Sequence, residues 1–97
     1  MCIQTLLSSM DLAPVKNPAG LAVFGLRVRR LREQRKLSQQ ALADMADVSK
    51  LTIQRLELAK FSVTLDVLIS LTRAFEIPLQ ELMDCPGIDA VDQHKQG

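Results

Sequence analysis

Aromatic residues are scarce in this chain. Its 97 residues include three phenylalanines and no tryptophan or tyrosine. β-Sandwiches, barrels and the platforms on which nucleic acid bases stack rely on aromatic side chains, so these classes are disfavoured. About half of the residues (47%) are apolar, with leucine and alanine frequent. Both residues favour helices, and the length suits one small domain, so the sequence predicts an all-α fold.

Cysteine and long hydrophobic runs are also scarce. Cys2 and Cys85 belong to no Cys-x-x-Cys or Cys/His cluster, so we predict two reduced thiols, no metal site and no cofactor. No apolar run approaches the length of a membrane span, and no basic residue precedes the apolar part of the N-terminal segment, as it would in a signal peptide. The sequence therefore predicts a soluble, cytoplasmic protein without a membrane partner.

Catalytic constellations are missing as well. His94 is the only histidine, and a lone imidazole in a polar tail has no partner with which to act as a ligand or base. We find no paired nucleophile and base and no phosphate-binding loop. The sequence predicts that the protein is not an enzyme.

The charge is unevenly distributed, although the net charge is only +1. Residues 24–60 contain nine Lys/Arg and four Asp/Glu, a net +5, whereas residues 61–97 contain two and six, a net −4. A basic half beside an acidic half indicates a surface for a polyanion on the first.

Apolar periodicity and capping residues predict five helices, over residues 21–36, 39–46, 50–58, 65–75 and 78–83. Ser38, Ser49 and Thr64 are suited to N-cap positions, and Pro78 to position N1 of the last helix. We expect residues 1–20 to form an N-terminal arm, since Pro14, Pro18 and Gly20 interrupt any helix there. Residues 21–84 form the predicted domain, and residues 85–97 a flexible tail.

The second and third predicted helices are separated by about three residues, which forces them to cross steeply and pack near the turn. Ala43 and Ala46 are small enough for that packing. The apolar side chain of Val48 can fill the space inside the turn. Asp47 occupies the position that needs a left-handed backbone, which Asp tolerates better than most residues other than glycine.

Three segments carry a family resemblance: FGLRVRRLREQRKLSQQALA, DVSKLTIQRLE and TLDVLISLTRAFEIPLQELM. Residues 24–83 resemble the five-helix, lambda-repressor-like DNA-binding domain of the phage-repressor or Xre family. Two departures stand out. Asp47 replaces the usual turn glycine, and Leu58-Ala59 replaces the residue-glycine pair that usually follows Glu57, so we expect a rebuilt loop there. The positions that match in register are Gln39, Leu42, Ala43, Ala46, Val48, Ile53 and Leu56.

The resemblance implies that the third helix lies in the major groove of DNA. Gln39, the first residue of the second helix, is the family's usual phosphate and base anchor, and Arg27 and Lys60 are weaker phosphate candidates. An alternative for each of these residues is an ordinary solvated position. The base-reading candidates are Ser49, Lys50, Leu51, Thr52, Gln54 and Arg55.

Two further roles follow from the resemblance. Arg32 and Glu57 are expected to form a structural ion pair that holds the recognition helix. Family members usually bind paired half-sites as dimers, so we predict a homodimer. The apolar candidates for the dimer interface are Ile77, Leu79, Leu82 and Met83, although these residues could instead close the monomer core.

The leading hypothesis is a sequence-specific transcriptional regulator, a dimeric repressor that binds double-stranded DNA. One alternative is an antitoxin, in which the same fold binds operator DNA while the apolar arm, residues 3–12, masks a toxin protein. Another is an interaction module that has lost its DNA contacts, against which the basic residues of the first helix argue.

Overall fold

The computed structural model describes residues 15–89. Within this range there are five helices and no strand, so the all-α prediction is confirmed. The predicted arm up to residue 14, including residues 3–12 and Cys2, lies outside the described residues, as do residues 90–97 with His94. The helices are α1 (Pro18–Gln34), α2 (Gln39–Ala46), α3 (Lys50–Glu57), α4 (Leu65–Phe75) and α5 (Leu79–Leu82).

Helix α1 begins three residues before the predicted start at residue 21. Pro18 does not interrupt the helix but occupies its first turn, where its missing N–H is not needed and its φ is already helical. Gly20 is a buried residue of this helix. A glycine is required at this position because a Cβ would collide with the backbone carbonyl of Ile88. The prediction that Pro18 and Gly20 break a helix is therefore wrong.

The three predicted N-caps are present. The side-chain oxygens of Ser38, Ser49 and Thr64 accept hydrogen bonds from the backbone N–H groups three residues later, at 3.0, 3.0 and 3.2 Å. Each bond satisfies one of the four N–H groups that a helix start leaves unpaired. These caps explain why α2, α3 and α4 begin where the sequence predicts.

Four helix ends share one backbone geometry. Lys36, Asp47, Ala59 and Glu76 follow α1 to α4 with φ between 57° and 59°, the left-handed conformation usually taken by glycine. After each one, the next N–H donates to the carbonyl five residues back, at 2.8 to 3.2 Å. The left-handed turn predicted at Asp47 is present. After three of these turns the next residue is apolar and packs against the core: Leu37, Val48 and Ile77.

The core lies where α1, α2, α3 and α4 meet. Val28, Leu42, Ile53 and Leu71 are fully buried, and α3 packs against both α1 and α2. The helices α1 and α3 approach closely at Gly25, where a Cβ would lie 2.6 Å from the carbonyl oxygen of Leu56 and 2.9 Å from that of Glu57. This contact fixes α3 directly against α1.

The chain after α4 differs from the prediction at two points. Pro78 is the N-cap of α5 and not its first helical residue. Residues 85–89, predicted to belong to a flexible tail, pack onto α1: Cys85 is buried and Ile88 contacts the core. Cys85 is a free thiol, and burial raises its pKa.

Candidate nucleic-acid interface

The outward surface of α3 carries the predicted base-reading side chains. Lys50 and Leu51 are exposed, and Thr52, Gln54 and Arg55 are half-buried. Ile53 and Leu56 on the opposite side are buried in the core, so the helix cannot turn this surface inward. The amide, ammonium and guanidinium groups here can bond to base edges in a major groove.

The Ser49 side chain is hydrogen-bonded within the first turn of α3. Its hydroxyl accepts from the N–H of Thr52 at 3.0 Å and lies 2.9 Å from the Thr52 hydroxyl. These bonds hold the first turn of α3 in place and engage both hydroxyls. Ser49 therefore positions the helix.

Lys60 follows the left-handed residue Ala59. At the three equivalent turns this position is apolar and packs inward, but Lys60 is exposed. Its backbone N–H donates to the carbonyl of Arg55 at 2.8 Å. Ala59 adopts the left-handed conformation, φ 59°, without glycine, and the rebuilding of the loop relative to the family stays a prediction. Lys60 thus lies at the end of α3 with its charge in solvent.

A buried polar network holds the C-terminal end of α3. Arg32 Nε and Nη2 donate to the two carboxylate oxygens of Glu57 at 2.7 and 3.1 Å, and Nη1 donates to the carbonyl of Leu37 at 2.9 Å. The Arg32 and Glu57 side chains are only 13% and 4% exposed. The ion pair expected from the sequence is therefore present. The hydrogen bond to Glu57 raises the pKa of Arg32.

Gln39 is part of the same network. Its side-chain amide donates to Glu57 Oε1 at 3.1 Å, so the first residue of α2 is tied to the last residue of α3. The side chain is half-buried. Its role as a DNA anchor stays a prediction, and its backbone N–H, in the first turn of α2, is suited to a phosphate.

Arg27 is not part of the network formed by Arg32, Glu57 and Gln39. Its Nη2 donates to the carbonyl of Glu81 at 2.7 Å, and its Nε is buried. The guanidinium therefore links α1 to α5 and is committed to the fold. A phosphate contact from Arg27 stays a prediction that this hydrogen bond does not favour.

Other arginines of α1 also act within the domain. Arg35 donates to the carbonyl of Phe75 at 3.1 Å and lies 5.0 Å from the centre of the Phe75 ring. Arg29 pairs with Glu33 at 3.1 Å on the surface. The basic run of α1 is thus largely structural, and the argument from it against an interaction-only module loses its force.

Phe61 is a neighbour of the interface that sequence reasoning missed. It lies in the loop after α3 and shares a pocket of about 240 Å³ with Ser49, Leu51, Thr52 and Arg55. Phe61 follows Leu51 by ten residues in the sequence, so the sequence alone does not indicate that the two lie close together in the fold. The signal available was that Phe61 is one of only three aromatic residues and lies directly beside Lys60.

The four residues predicted for the dimer interface differ in their exposure to solvent. Leu82 is fully buried, and so it cannot reach a partner. Ile77 and Met83 are half-buried and pack against the core, whereas Leu79 is exposed. Two exposed apolar residues of α4 were missed, Leu65 and Ile69.

No group of His, Cys, Asp and Glu that could hold a metal ion occurs between residues 15 and 89. In the same range, no helix is both long and apolar enough to cross a membrane.

Two short capped helices, a left-handed turn between them and a second helix with a polar outward surface define a helix-turn-helix domain. A sequence profile described as "Helix-turn-helix" matches residues 28–82. The chain therefore belongs to this family, of the Xre type, whose members are DNA-binding transcriptional regulators. Members of this family are regulators that are not typically enzymes.

Two similar proteins agree with this assignment. The chain is 34% identical over 74 residues to the HTH-type transcriptional regulator PrpR of Mycobacterium tuberculosis, a match covering 76% of this chain but only 15% of PrpR. The crystal structure of the restriction-modification controller protein C.AhdI from Aeromonas hydrophila superimposes with a TM-score of 0.62 at 32% identity. That match covers 64% of this chain and 94% of C.AhdI.

Proposed function

We propose that this chain regulates transcription by binding a specific duplex DNA site, with α3 in the major groove. The observation that carries the proposal is the combination of a polar, outward-facing α3 with a buried network that fixes its orientation. Bases are read only when donors are held at defined positions. The Arg32–Glu57–Gln39 network and the Gly25 contact supply that rigidity.

Phosphate contacts are proposed for the backbone N–H of Gln39, in the first turn of α2, and the side chain of Lys60, which follows α3. Such contacts set the position of a protein on DNA without reading sequence. Ser49 would position the helix, and the proposed base contacts come from Lys50, Leu51, Thr52, Gln54 and Arg55.

A salt titration tests the electrostatic part of the proposal. We expect the logarithm of the binding constant for duplex DNA to fall linearly with the logarithm of salt concentration, by about 0.9 for each phosphate contacted. Replacing Lys60 with Gln should reduce this slope by about one unit. Fluorescence anisotropy with labelled duplex at four or more salt concentrations gives both slopes.

Lys16→Gln is the matched control for that titration, because Lys16 is an exposed lysine that precedes α1 and belongs to neither α2, α3 nor the loop after α3. It should leave the slope unchanged. A slope near zero for the unaltered protein, or equal changes from Lys60→Gln and Lys16→Gln, would contradict the proposed phosphate contacts.

We also propose that the protein acts as a homodimer. A single recognition helix reads few base pairs, and two-fold dimers place two such helices on half-sites one helical turn apart. The apolar residues proposed for this interface are Leu79 of α5 and Leu65 and Ile69 of α4, which are among the exposed apolar residues of the described range. A dimer bound across two half-sites excludes other proteins from that DNA, which favours repression. The antitoxin alternative depended on residues 3–12, and no described residue favours it.

A further inference from the structure

The pocket between α3 and the loop that follows it is partly apolar. Leu51 and Phe61 are its apolar residues, and Thr52 lines it with them. Arg55 and Ser49 complete the lining. The pocket lies along one edge of the outward surface of α3, so it is continuous with the proposed DNA interface.

Two leucines, Leu51 of α3 and Leu58 at its C-cap, are exposed where a solvated helix would carry polar side chains. Leu51 is 51% exposed and Leu58 is 67% exposed. Their separation of seven residues places them on the same side of the helix, away from the buried Ile53. An apolar edge on an otherwise polar reading surface indicates an apolar contact on the ligand.

Duplex DNA offers one apolar group in the major groove, the 5-methyl of thymine, and side-chain methyl groups commonly meet it. We propose that the pocket formed by Leu51, Thr52 and Phe61 receives the methyl group of one thymine in each half-site. Phe61 thereby becomes a specificity-determining residue supplied by the loop after α3. This inference rests on the proposed function.

The geometry explains why both elements are needed. Leu51 alone would present a convex side chain, against which a methyl group buries little surface. Phe61 forms a second wall, and its own position is fixed because it is partly buried against the core. Ala59 and the bond from Lys60 N–H to the Arg55 carbonyl turn the chain back so that residue 61 faces α3.

The test removes the methyl group from the DNA and leaves the protein unaltered. A duplex selected from a random library is synthesised with each thymine replaced in turn by deoxyuridine, which keeps every hydrogen-bonding group. We expect one position in each half-site at which this replacement weakens binding about fourfold, the equivalent of about 0.8 kcal/mol for one buried methyl group. Other positions should change little.

Variants then locate the pocket. Leu51→Ala and Phe61→Ala should bind the thymine and deoxyuridine duplexes equally well, whereas Phe61→Leu should retain most of the difference. Met45→Ala is the matched control, because Met45 is an apolar residue of α2 with similar exposure, 50%. It should keep the full fourfold difference. Leu51 is exposed, so its variant remains informative even if Phe61→Ala unfolds.

The outcomes are distinct. If no duplex is preferred over scrambled DNA, the proposed function fails. If a duplex is preferred but tolerates deoxyuridine everywhere, the methyl pocket is refuted while the function stands. A methyl effect that persists unchanged in Leu51→Ala also refutes the pocket, because another part of the protein then reads the methyl group.

Discussion

Replacing Arg32 with Ala is expected to lower the free energy of unfolding by about 3–5 kcal/mol. The change leaves the Glu57 carboxylate, only 4% exposed, with the Gln39 amide but without its cationic partner. It also removes the donor to the Leu37 carbonyl. Urea unfolding monitored by circular dichroism measures the loss.

Arg29→Ala is the matched control for this prediction. Arg29 also pairs with a glutamate at 3.1 Å, but both side chains are more than half exposed. Exposed pairs contribute little, so we expect a loss below about 1 kcal/mol. The double variant Arg32→Ala with Glu57→Ala should cost less than the sum of the two single changes. Equal losses from Arg32→Ala and Arg29→Ala, or strict additivity in the cycle, would contradict the buried network.

Replacing Gly25 with Ala should destabilise the domain by about 1–3 kcal/mol, the usual cost of forcing extra atoms into a packed interior. The new Cβ would lie 2.6 Å from the Leu56 carbonyl oxygen, and a backbone atom cannot move aside as a flexible side chain can. Helix propensity alone predicts the opposite sign, a gain of about 0.5–1 kcal/mol. The sign of the change therefore decides between the two effects.

The exposed residue Ala22 lies on the same helix and provides the control. Ala22→Gly should lower stability by about 1 kcal/mol through propensity alone. A stabilising effect of Gly25→Ala would show that α1 and α3 are not in backbone contact. Because α3 must move to accept the Cβ, we also expect Gly25→Ala to weaken DNA binding at temperatures where it remains folded.

Much of this fold could be predicted because its local signals agree with one another. Ser38, Ser49 and Thr64 each cap a helix whose apolar stripe then follows the expected period, and Asp47 takes the left-handed position at the turn. Local and tertiary preferences coincide at these positions. The bounds of α2 and α4 were accordingly correct.

The errors concern residues whose role depends on distant parts of the chain. Gly20 can accept no side chain because the backbone of Ile88, 68 positions later in the sequence, packs against it. The same limit applies to the basic residues of α1, since a charge count cannot distinguish a solvated arginine from Arg27 or Arg35, whose partners are backbone carbonyls of α5 and α4. Phe61 approaches α3 only through the left-handed turn at Ala59.

The central claim is that the outward surface of α3 reads bases. Its most direct test is the affinity of Gln54→Ala for a selected operator and for a scrambled duplex at one salt concentration. The amide of Gln54 can bond to an adenine edge, so we predict a loss of about 1–3 kcal/mol on the operator. Scrambled duplex should bind as before because no charge is removed, and Gln80→Ala, an exposed glutamine of α5, should change neither affinity. If Gln54→Ala weakens both duplexes equally, or neither, α3 does not read bases through this surface.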